Sequence, residues 1–139
     1  MELFVLPTAR LRVTERNFIA DHLTRPGSDF QRAILAGGGD LTGTIAICLD
    51  QGEIVGWART ELWRELPTLE AFVAPAYRRR GVATLCAAGL RAEGVWRDHE
   101  FVAVFRPTMI SLGSRIGLHY AVFDRAPDGS WVEASRIDS

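Results

Sequence analysis

The chain has 139 residues, a length at which one hydrophobic core can bury roughly 70% of the surface that the unfolded chain exposes. Hydrophobic residues make up 47% and charged residues 24%, which excludes the disordered, collagen-like and coiled-coil classes. The formal net charge of -1 provides no overall attraction to nucleic acid or to an anionic membrane. We therefore predict one domain spanning residues 1–139.

The cysteines and the first residues of the sequence favour one cellular compartment. Cys48 and Cys86 lie far apart, and a chain that can build a core does not need a disulfide, so we expect both as reduced thiols. No segment resembles a secretory signal or reaches the length of a membrane span, which favours the cytoplasm. No metal site is predicted, because metal-ligand spacing is missing from all three histidines, His22, His99 and His119.

The first part of the chain predicts one strand and two helices. Residues 3–6 are apolar and are closed by Pro7, which indicates a strand. Residues 14–23 place apolar side chains on one side of a helix, with Thr14 as its N-cap. Residues 28–36 repeat the helical spacing until the glycines that follow end this second helix.

The middle of the chain predicts three antiparallel strands and then the best-defined helix. Residues 42–49 and 54–60 flank a turn with Asp and Gly, which is typical of a hairpin. A second turn, near residues 63–67, leads into a third strand at residues 68–73. The helix spans residues 81–93 and ends at Gly94; its predicted apolar stripe consists of Val82, Leu85, Cys86, Gly89 and Leu90.

The last third predicts a strand, a short helix and a closing hairpin. Residues 101–105 are continuously apolar, as in a strand that is buried on both faces. Residues 107–115 begin with a proline that suits the first turn of a helix. Residues 120–125 and 131–134 flank a turn with Asp and Gly. The element order predicts an α/β or α+β sandwich with a sheet covered on both sides.

The segment that carries chemistry joins the third antiparallel strand to the best-defined helix. Three arginines precede Gly81, and a helix begins there, so free backbone N–H groups and the helix dipole attract an anion. Gly81 permits close approach, Ala83 keeps the first turn thin, and Thr84 adds a hydroxyl donor. An isolated pattern of this kind is more often a solvated charge run, but its position between strand and helix favours a phosphate site.

This segment resembles motif A of the GCN5-related N-acetyltransferases (GNAT), in which Arg or Gln, two residues, Gly, one residue, and Gly or Ala follow in order. Arg78, Gly81 and Ala83 hold these positions. Residues 101–118 resemble motif B, a strand and a short helix closed by Gly117. The resemblance implies a mixed, mainly antiparallel sheet of six to seven strands, flanked by about four helices, whose central strands splay apart.

The resemblance also implies the cosubstrate and the reaction. Acetyl-CoA, or another short acyl-CoA, binds in the gap between the splayed strands, and a primary amine attacks the thioester directly without a covalent enzyme intermediate. No metal takes part. The residues that it assigns to the cosubstrate are Phe72, Val73, Arg78, Arg79, Arg80, Gly81, Val82, Ala83, Thr84 and Ser111.

Such a reaction needs a route for the amine proton and often an acid for the departing thiolate. Glu70 on the central strand is the predicted base, with a salt-bridged strand residue as the alternative interpretation; Glu61 and Asp98 are more distant candidates. Many family members carry a Tyr four residues before the closing Gly of motif B, and here that position is Gly113. Either the thiolate leaves unaided or its acid is one of three residues, Tyr120, Ser111 and Ser114.

Trp63 and Arg59 lie where acceptor sites of the family are commonly walled, and we predict that they contact the acceptor. The acceptor is a small molecule, a peptide N-terminus or a lysine, and its site is open or is completed by a second subunit in a homodimer. Two other functions remain: a non-catalytic acyl-CoA-binding or regulatory module, which the missing motif B tyrosine favours, and modification of an amino group in nucleic acid, indicated only by the arginines.

Overall fold

A computed structural model of the protein describes residues 1–22, 41–105 and 118–138. These residues form two larger β-sheets, a small hairpin, two α-helices and two short 3-10 helices. The helices predicted at residues 28–36 and 107–115 lie outside the described residues. No helix in the described parts of the chain is long and apolar enough to cross a membrane.

The first sheet is antiparallel, and its strands neighbour one another in the order β1 (Glu2–Pro7), β2 (Thr44–Asp50), β3 (Glu53–Thr60) and β6 (Glu70–Val73). The predicted first strand, hairpin and third antiparallel strand are confirmed. Gln51 and Gly52 connect β2 to β3, and both have a positive φ, 52° and 81°. A two-residue turn of this kind has the twist that paired strands require.

The second sheet consists of β7 (Phe101–Phe105), β8 (His119–Arg125) and β9 (Trp131–Asp138). β8 runs parallel to β7 and antiparallel to β9, which confirms the buried strand and the closing hairpin, although β9 extends to residue 138 rather than 134. The predicted second turn is itself a small hairpin of β4 (Leu62–Trp63) and β5 (Leu66–Pro67).

The first helix, α1 (Val13–Ala20), begins at a different cap from the one predicted. Thr14 lies inside the helix, and Arg12 occupies the N-cap position. The Glu15 carboxylate accepts a hydrogen bond from the Arg12 backbone N–H (2.9 Å) and another from its guanidinium (3.0 Å), so the cap is satisfied without a hydroxyl. The side-chain hydrogen bond from Arg12 lowers the pKa of Glu15.

The second helix, α2 (Val82–Ala92), confirms the best-defined prediction, and Gly94 follows it with a φ of 81°. The predicted stripe is wrong at Leu85, which is 40% exposed. The helix instead buries the small Ala83 and Ala87, because it lies close against the sheet: a Cβ added at Gly56 of β3 would come within 2.6 Å of the helix's Val82 side chain.

The two larger sheets join at one point and then separate. A parallel bridge pairs Thr68 with Ala103, and the Leu69 N–H donates to the Ala103 carbonyl at 2.9 Å. Beyond this bridge, β6 and β7 form no ladder in the described chain. The splayed central strands and the mixed, mainly antiparallel α+β fold are therefore confirmed, although the described residues contain two α-helices rather than about four.

The strand faces divide the interior into two sides. One cluster, on the α2 side, includes Ala71 and Val73 of β6 together with Val102 and Tyr120 of the second sheet. The other cluster lies on the α1 side, where Phe72 packs against buried residues from α1, β2 and β3. Alternate residues of β6 thus point to opposite sides, and Glu70 shares the α1 side with Phe72.

Native Cys86 should react with thiol reagents at pH 8 far more slowly than an exposed thiol. Cys86 lies on the buried face of α2, where burial raises the pKa of its thiol to about 12, and only the thiolate is nucleophilic. A thiol in the unfolded chain has a pKa near 8.5, so the protonated Cys86 stabilises the folded state below about that pH. This contribution to the free energy of unfolding is lost as the pH rises toward about 12. Labelling with and without denaturant measures the reactivity, and fast native labelling would contradict the prediction.

Candidate functional site

The start of α2 has the geometry of an anion site. Gly81 adopts the left-handed conformation (φ 78°, ψ 14°), and its carbonyl accepts the first helical hydrogen bond, from the Leu85 N–H at 2.9 Å. The N–H groups of the helix's first three residues therefore precede that bond, and in the described chain they have no acceptor; they belong to Val82, Ala83 and Thr84. We call these three groups and Gly81 the anion cradle.

Gly81 matters for two reasons. Its positive φ is strained for any residue with a side chain, and a Cβ built at this position meets no atom within 4 Å. The cradle thus opens into free space, where a phosphate group can approach the backbone. The helix dipole adds partial positive charge at the same place.

The three arginines before the cradle differ in their surroundings. The Arg78 Nε donates to the Val73 carbonyl at 3.1 Å, which ties this side chain to the end of β6. Arg80 lies over the Tyr77 ring, 5.5 Å from the centroid, and both Arg79 and Arg80 are exposed. Arg79 and Arg80 can therefore supply positive charge to a ligand at the cradle, whereas Arg78 orders the loop that leads to it.

Tyr77 anchors the loop before the cradle to the first sheet. Its hydroxyl donates to Asp50 Oδ2 at 2.6 Å, and this hydrogen bond raises the pKa of Tyr77. Asp50 is the last residue of β2, so the bond connects the β2–β3 turn to the 3-10 helix at Pro75–Tyr77. The start of the loop is thus held by two side chains, Tyr77 and Arg78.

Acetyl-CoA is the cosubstrate that the motif A resemblance implies, and we expect Tyr77→Phe to weaken its binding about fivefold, the equivalent of one hydrogen bond worth about 1 kcal/mol. The ring and its contact with Arg80 remain, while the tether to Asp50 is lost. Isothermal titration of acetyl-CoA measures the dissociation constant. A Tyr77→Phe protein that binds acetyl-CoA as tightly as the wild type would show that this tether does not order the cradle.

β6 presents an open backbone edge beside the cradle. The Ala74 N–H donates across the first sheet to the Val55 carbonyl at 2.8 Å, whereas the Leu69 N–H points the other way, toward β7. Backbone N–H groups alternate in direction along a strand, so those of Ala71 and Val73 also point toward β7. In the described chain neither has an acceptor, because β7 has already diverged. These groups can pair with an extended ligand.

Phe72 and Val73 are the two strand residues assigned to the cosubstrate. Their backbone is open to a ligand, whereas their side chains are packed. Val73 is buried on the α2 side, and Phe72 packs on the α1 side. A ligand along this edge would therefore contact the backbone at residues 71–73. Ser111, the last residue assigned to the cosubstrate, lies outside the described residues.

Glu70 is held in a buried ion-pair network. Glu70 Oε1 accepts a hydrogen bond from Arg59 Nη1 at 2.7 Å, and Arg59 Nη2 lies 2.7 Å from Glu61 Oε2. The side chains of Arg59 and Glu70 are 0% and 1% exposed. The salt-bridge interpretation of Glu70 describes this geometry. Direct contact of Arg59 with an acceptor needs correction, because its guanidinium is enclosed and engaged by two carboxylates.

Tyr120 and Glu70 do not lie in one site. The Tyr120 ring belongs to the cluster beneath α2, whereas Glu70 points to the α1 side of the sheet. Burial raises the pKa of Tyr120. Glu70 as base and Tyr120 as acid stay predictions, with the two side chains on different sides of the sheet. Asp98, the most distant candidate base, is exposed in the loop between α2 and β7.

Trp63 is a packing residue of the small hairpin. Its ring makes edge contacts with Phe105 and Phe123, at centroid distances of 5.0 and 4.8 Å. Arg64 covers its other side, 4.3 Å from the ring centroid. The β4–β5 hairpin folds back over the second sheet and half-buries the ring, and acceptor contact by Trp63 stays a prediction.

His22, for which the sequence showed no metal-ligand spacing, contacts the strand beside the cradle. Its ring stacks on Phe18 (centroids 4.5 Å apart) and packs at a tilt of 39° against Phe72 of β6 (4.3 Å). The ring therefore lies on the α1 side of the strand whose backbone edge is open. The available signal in the sequence was its position four residues after Phe18, just beyond the end of α1.

Similar folds occur among solved acetyltransferases. The aminoglycoside N-acetyltransferase AAC(6')-Iy with a bisubstrate analogue, CoA-S-monomethyl-acetylneamine, has a TM-score of 0.55 at 19% identity and covers 81% of this chain and 86% of that chain. The same enzyme with CoA has a TM-score of 0.54 at 18% identity, with coverage of 81% and 82%. The ribosomal-protein-S18-alanine N-acetyltransferase of Escherichia coli has a TM-score of 0.49 at 15% identity, with coverage of 91% and 70%.

No family model matches this sequence, and no curated protein does. At these identities the AAC(6')-Iy structures establish the architecture: the chain has the GNAT fold. The fold alone does not assign an activity.

Proposed function

We propose that this protein is an N-acyltransferase that moves an acetyl or other short acyl group from acyl-CoA to a primary amine. The observation that carries the proposal is the open backbone edge of β6, which leads directly to the anion cradle at the start of α2. CoA combines a pantetheine chain with two amides and a pyrophosphate group. The pantetheine amides suit an open strand edge, and the pyrophosphate suits a helix N-terminus.

Each part of the cosubstrate has a matching group in this chain. The backbone of Ala71 and Val73 would pair with the pantetheine amides, because a ligand amide can replace the strand neighbour that β6 lacks there. The anion cradle would bind the pyrophosphate, with Arg79 and Arg80 contributing charge. Similar folds have been solved with CoA and with a CoA bisubstrate analogue, which supports this assignment.

The acyl group would then lie in the gap between β6 and β7, and an acceptor amine would attack its carbonyl carbon. A C–N bond forms, the C–S bond breaks, and its electron pair leaves with sulfur as the CoA thiolate. Holding amine and thioester together supplies much of the acceleration in such a reaction. We propose that the 139 residues perform it as one domain, without a metal and without an acyl-enzyme intermediate.

The test is the release of free CoA thiol from acetyl-CoA over a panel of amines. The panel should contain aminoglycosides, because one solved neighbour acetylates them, as well as peptides with free N-termini and peptides with lysine. Thiol release that requires both protein and amine supports the proposal.

A second candidate is a non-catalytic acyl-CoA-binding module. The observation that favours it is the burial of Glu70, the predicted base, in an ion pair with Arg59. Acetyl-CoA binding without thiol release across the whole panel would support this module and overturn the transferase.

A further inference from the structure

His22 is fixed against the proposed cosubstrate strand by two aromatic rings. Phe18 precedes it on α1, and the two ring planes lie 30° apart with centroids separated by 4.5 Å. Phe72 of β6 also contacts the imidazole ring, with a centroid distance of 4.3 Å. The imidazole therefore has little rotational freedom, and it sits beside the residue that separates the open N–H groups of β6.

One hydrogen bond sets which ring nitrogen carries the proton. His22 Nδ1 lies 2.7 Å from the Phe18 carbonyl oxygen. A carbonyl oxygen can only accept, so Nδ1 is the donor, and in the neutral imidazole the lone pair is on Nε2. In the described chain no group hydrogen-bonds to Nε2, and the side chain of His22 is half-buried.

An unused donor accompanies this unused acceptor. Trp57 of β3 pairs directly with Phe72, and its Nε1–H is buried with no acceptor in the described chain. Buried donors in native proteins are almost always satisfied. Trp57 and Phe72 share the cluster on the α1 side, and the His22 ring contacts Phe72, so the unsatisfied donor and the Nε2 acceptor lie on the same side of β6.

Among the described residues, the other charged groups on the elements beside the ring are hydrogen-bonded within the protein or exposed. Arg16 and Asp21 lie on or beside α1; the Arg16 guanidinium donates to the Leu11 carbonyl, and Asp21 is exposed. Glu70, on the same side of β6, is engaged by Arg59 of β3. Within the described part of the chain, His22 thus combines a fixed ring, a defined tautomer and a half-buried side chain.

We propose that His22 Nε2 accepts the proton of the acceptor's ammonium group, directly or through one water, and so generates the attacking amine; this rests on the transferase activity proposed above. The ammonium loses one proton to Nε2, and the resulting imidazolium later releases it to solvent. After attack on the thioester carbonyl, the second nitrogen-bound proton passes through solvent to the CoA thiolate. The products are the amide, CoA thiol and one proton.

His22→Asn tests the proposal, because the Asn amide can still donate to the Phe18 carbonyl but has no basic lone pair. We expect kcat/KM to fall about 10²- to 10⁴-fold and the acidic limb of the pH–rate profile to disappear. The melting-temperature shift caused by acetyl-CoA should stay as in the wild type. His99→Asn is the matched control: His99 is exposed in the loop after α2 and should leave the profile unchanged.

Two further measurements guard against an indirect effect. His22→Phe keeps the ring stack and should lose the same limb, and added imidazole should partly restore the rate of a folded His22→Gly protein. Nitrogen-15 NMR of the three histidines should show one neutral ring protonated at Nδ1, independently of activity.

The outcomes separate this inference from the function on which it rests. An active wild type together with a His22→Asn protein that keeps both its rate and its acidic limb would overturn the role of His22 alone. A wild type that binds acetyl-CoA but releases no thiol would overturn the transferase, and the role of His22 with it. A His22 ring protonated at Nε2 would also refute the proposal.

Discussion

We expect acetyl-CoA to raise the melting temperature of the wild-type protein, and Gly81→Glu should abolish that rise. A ligand that binds only the native state stabilises it by about 2.7 kcal/mol at a hundredfold excess over its dissociation constant. The glutamate would place bulk and negative charge at the open side of the cradle, where no protein atom lies within 4 Å. Thermal unfolding at several acetyl-CoA concentrations measures the effect.

The strain of the substitution needs its own control, since Gly81 has a φ of 78°. Gly129→Glu is matched: Gly129 has a φ of 87° and also has no atom within 4 Å of an added Cβ, but it lies in the β8–β9 turn. Both variants should lose similar intrinsic stability, and only Gly81→Glu should lose the response to acetyl-CoA. An equal response in both would refute the cradle.

The fold followed closely from local sequence patterns. Alternating or continuous apolar residues located the longer strands, and the glycines at 52 and 94 marked a hairpin turn and a helix end, because these positions need a positive φ. The cap of α1 escaped prediction, because the Arg12–Glu15 pair does what a hydroxyl at Thr14 was expected to do. Leu85 was misplaced, because close packing of α2 favours small side chains inward.

The predictions for the candidate site show the same difference between local patterns and tertiary packing. The cradle depends on consecutive residues and a helix start, so a local motif was enough to predict it. Glu70, Tyr120 and Trp63 depend on which side of a strand or hairpin faces which neighbour, and that is decided by tertiary packing. His22 reaches Phe72 across fifty residues of sequence, a contact that no local pattern encodes.

Arg59→Met should destabilise the protein by about 3 to 5 kcal/mol, the range for removing one partner of a buried ion pair. Arg59 is fully buried, and its two terminal nitrogens each lie 2.7 Å from a carboxylate oxygen. Without the guanidinium, Glu70 would stay enclosed while losing a compensating charge. Methionine keeps much of the volume, so the loss should reflect charge rather than a cavity. Chemical denaturation measures the free energy of unfolding.

Arg91→Met is the surface control; Arg91 is exposed on α2, and the change should alter stability by no more than about 0.5 kcal/mol. The double variant Arg59→Met with Glu70→Leu should be less destabilised than the sum of its single changes, because the second substitution removes the carboxylate that the first leaves in the core. Additive losses would mean that the two residues are not energetically coupled. In that case Glu70 would remain a candidate for the base, in competition with His22.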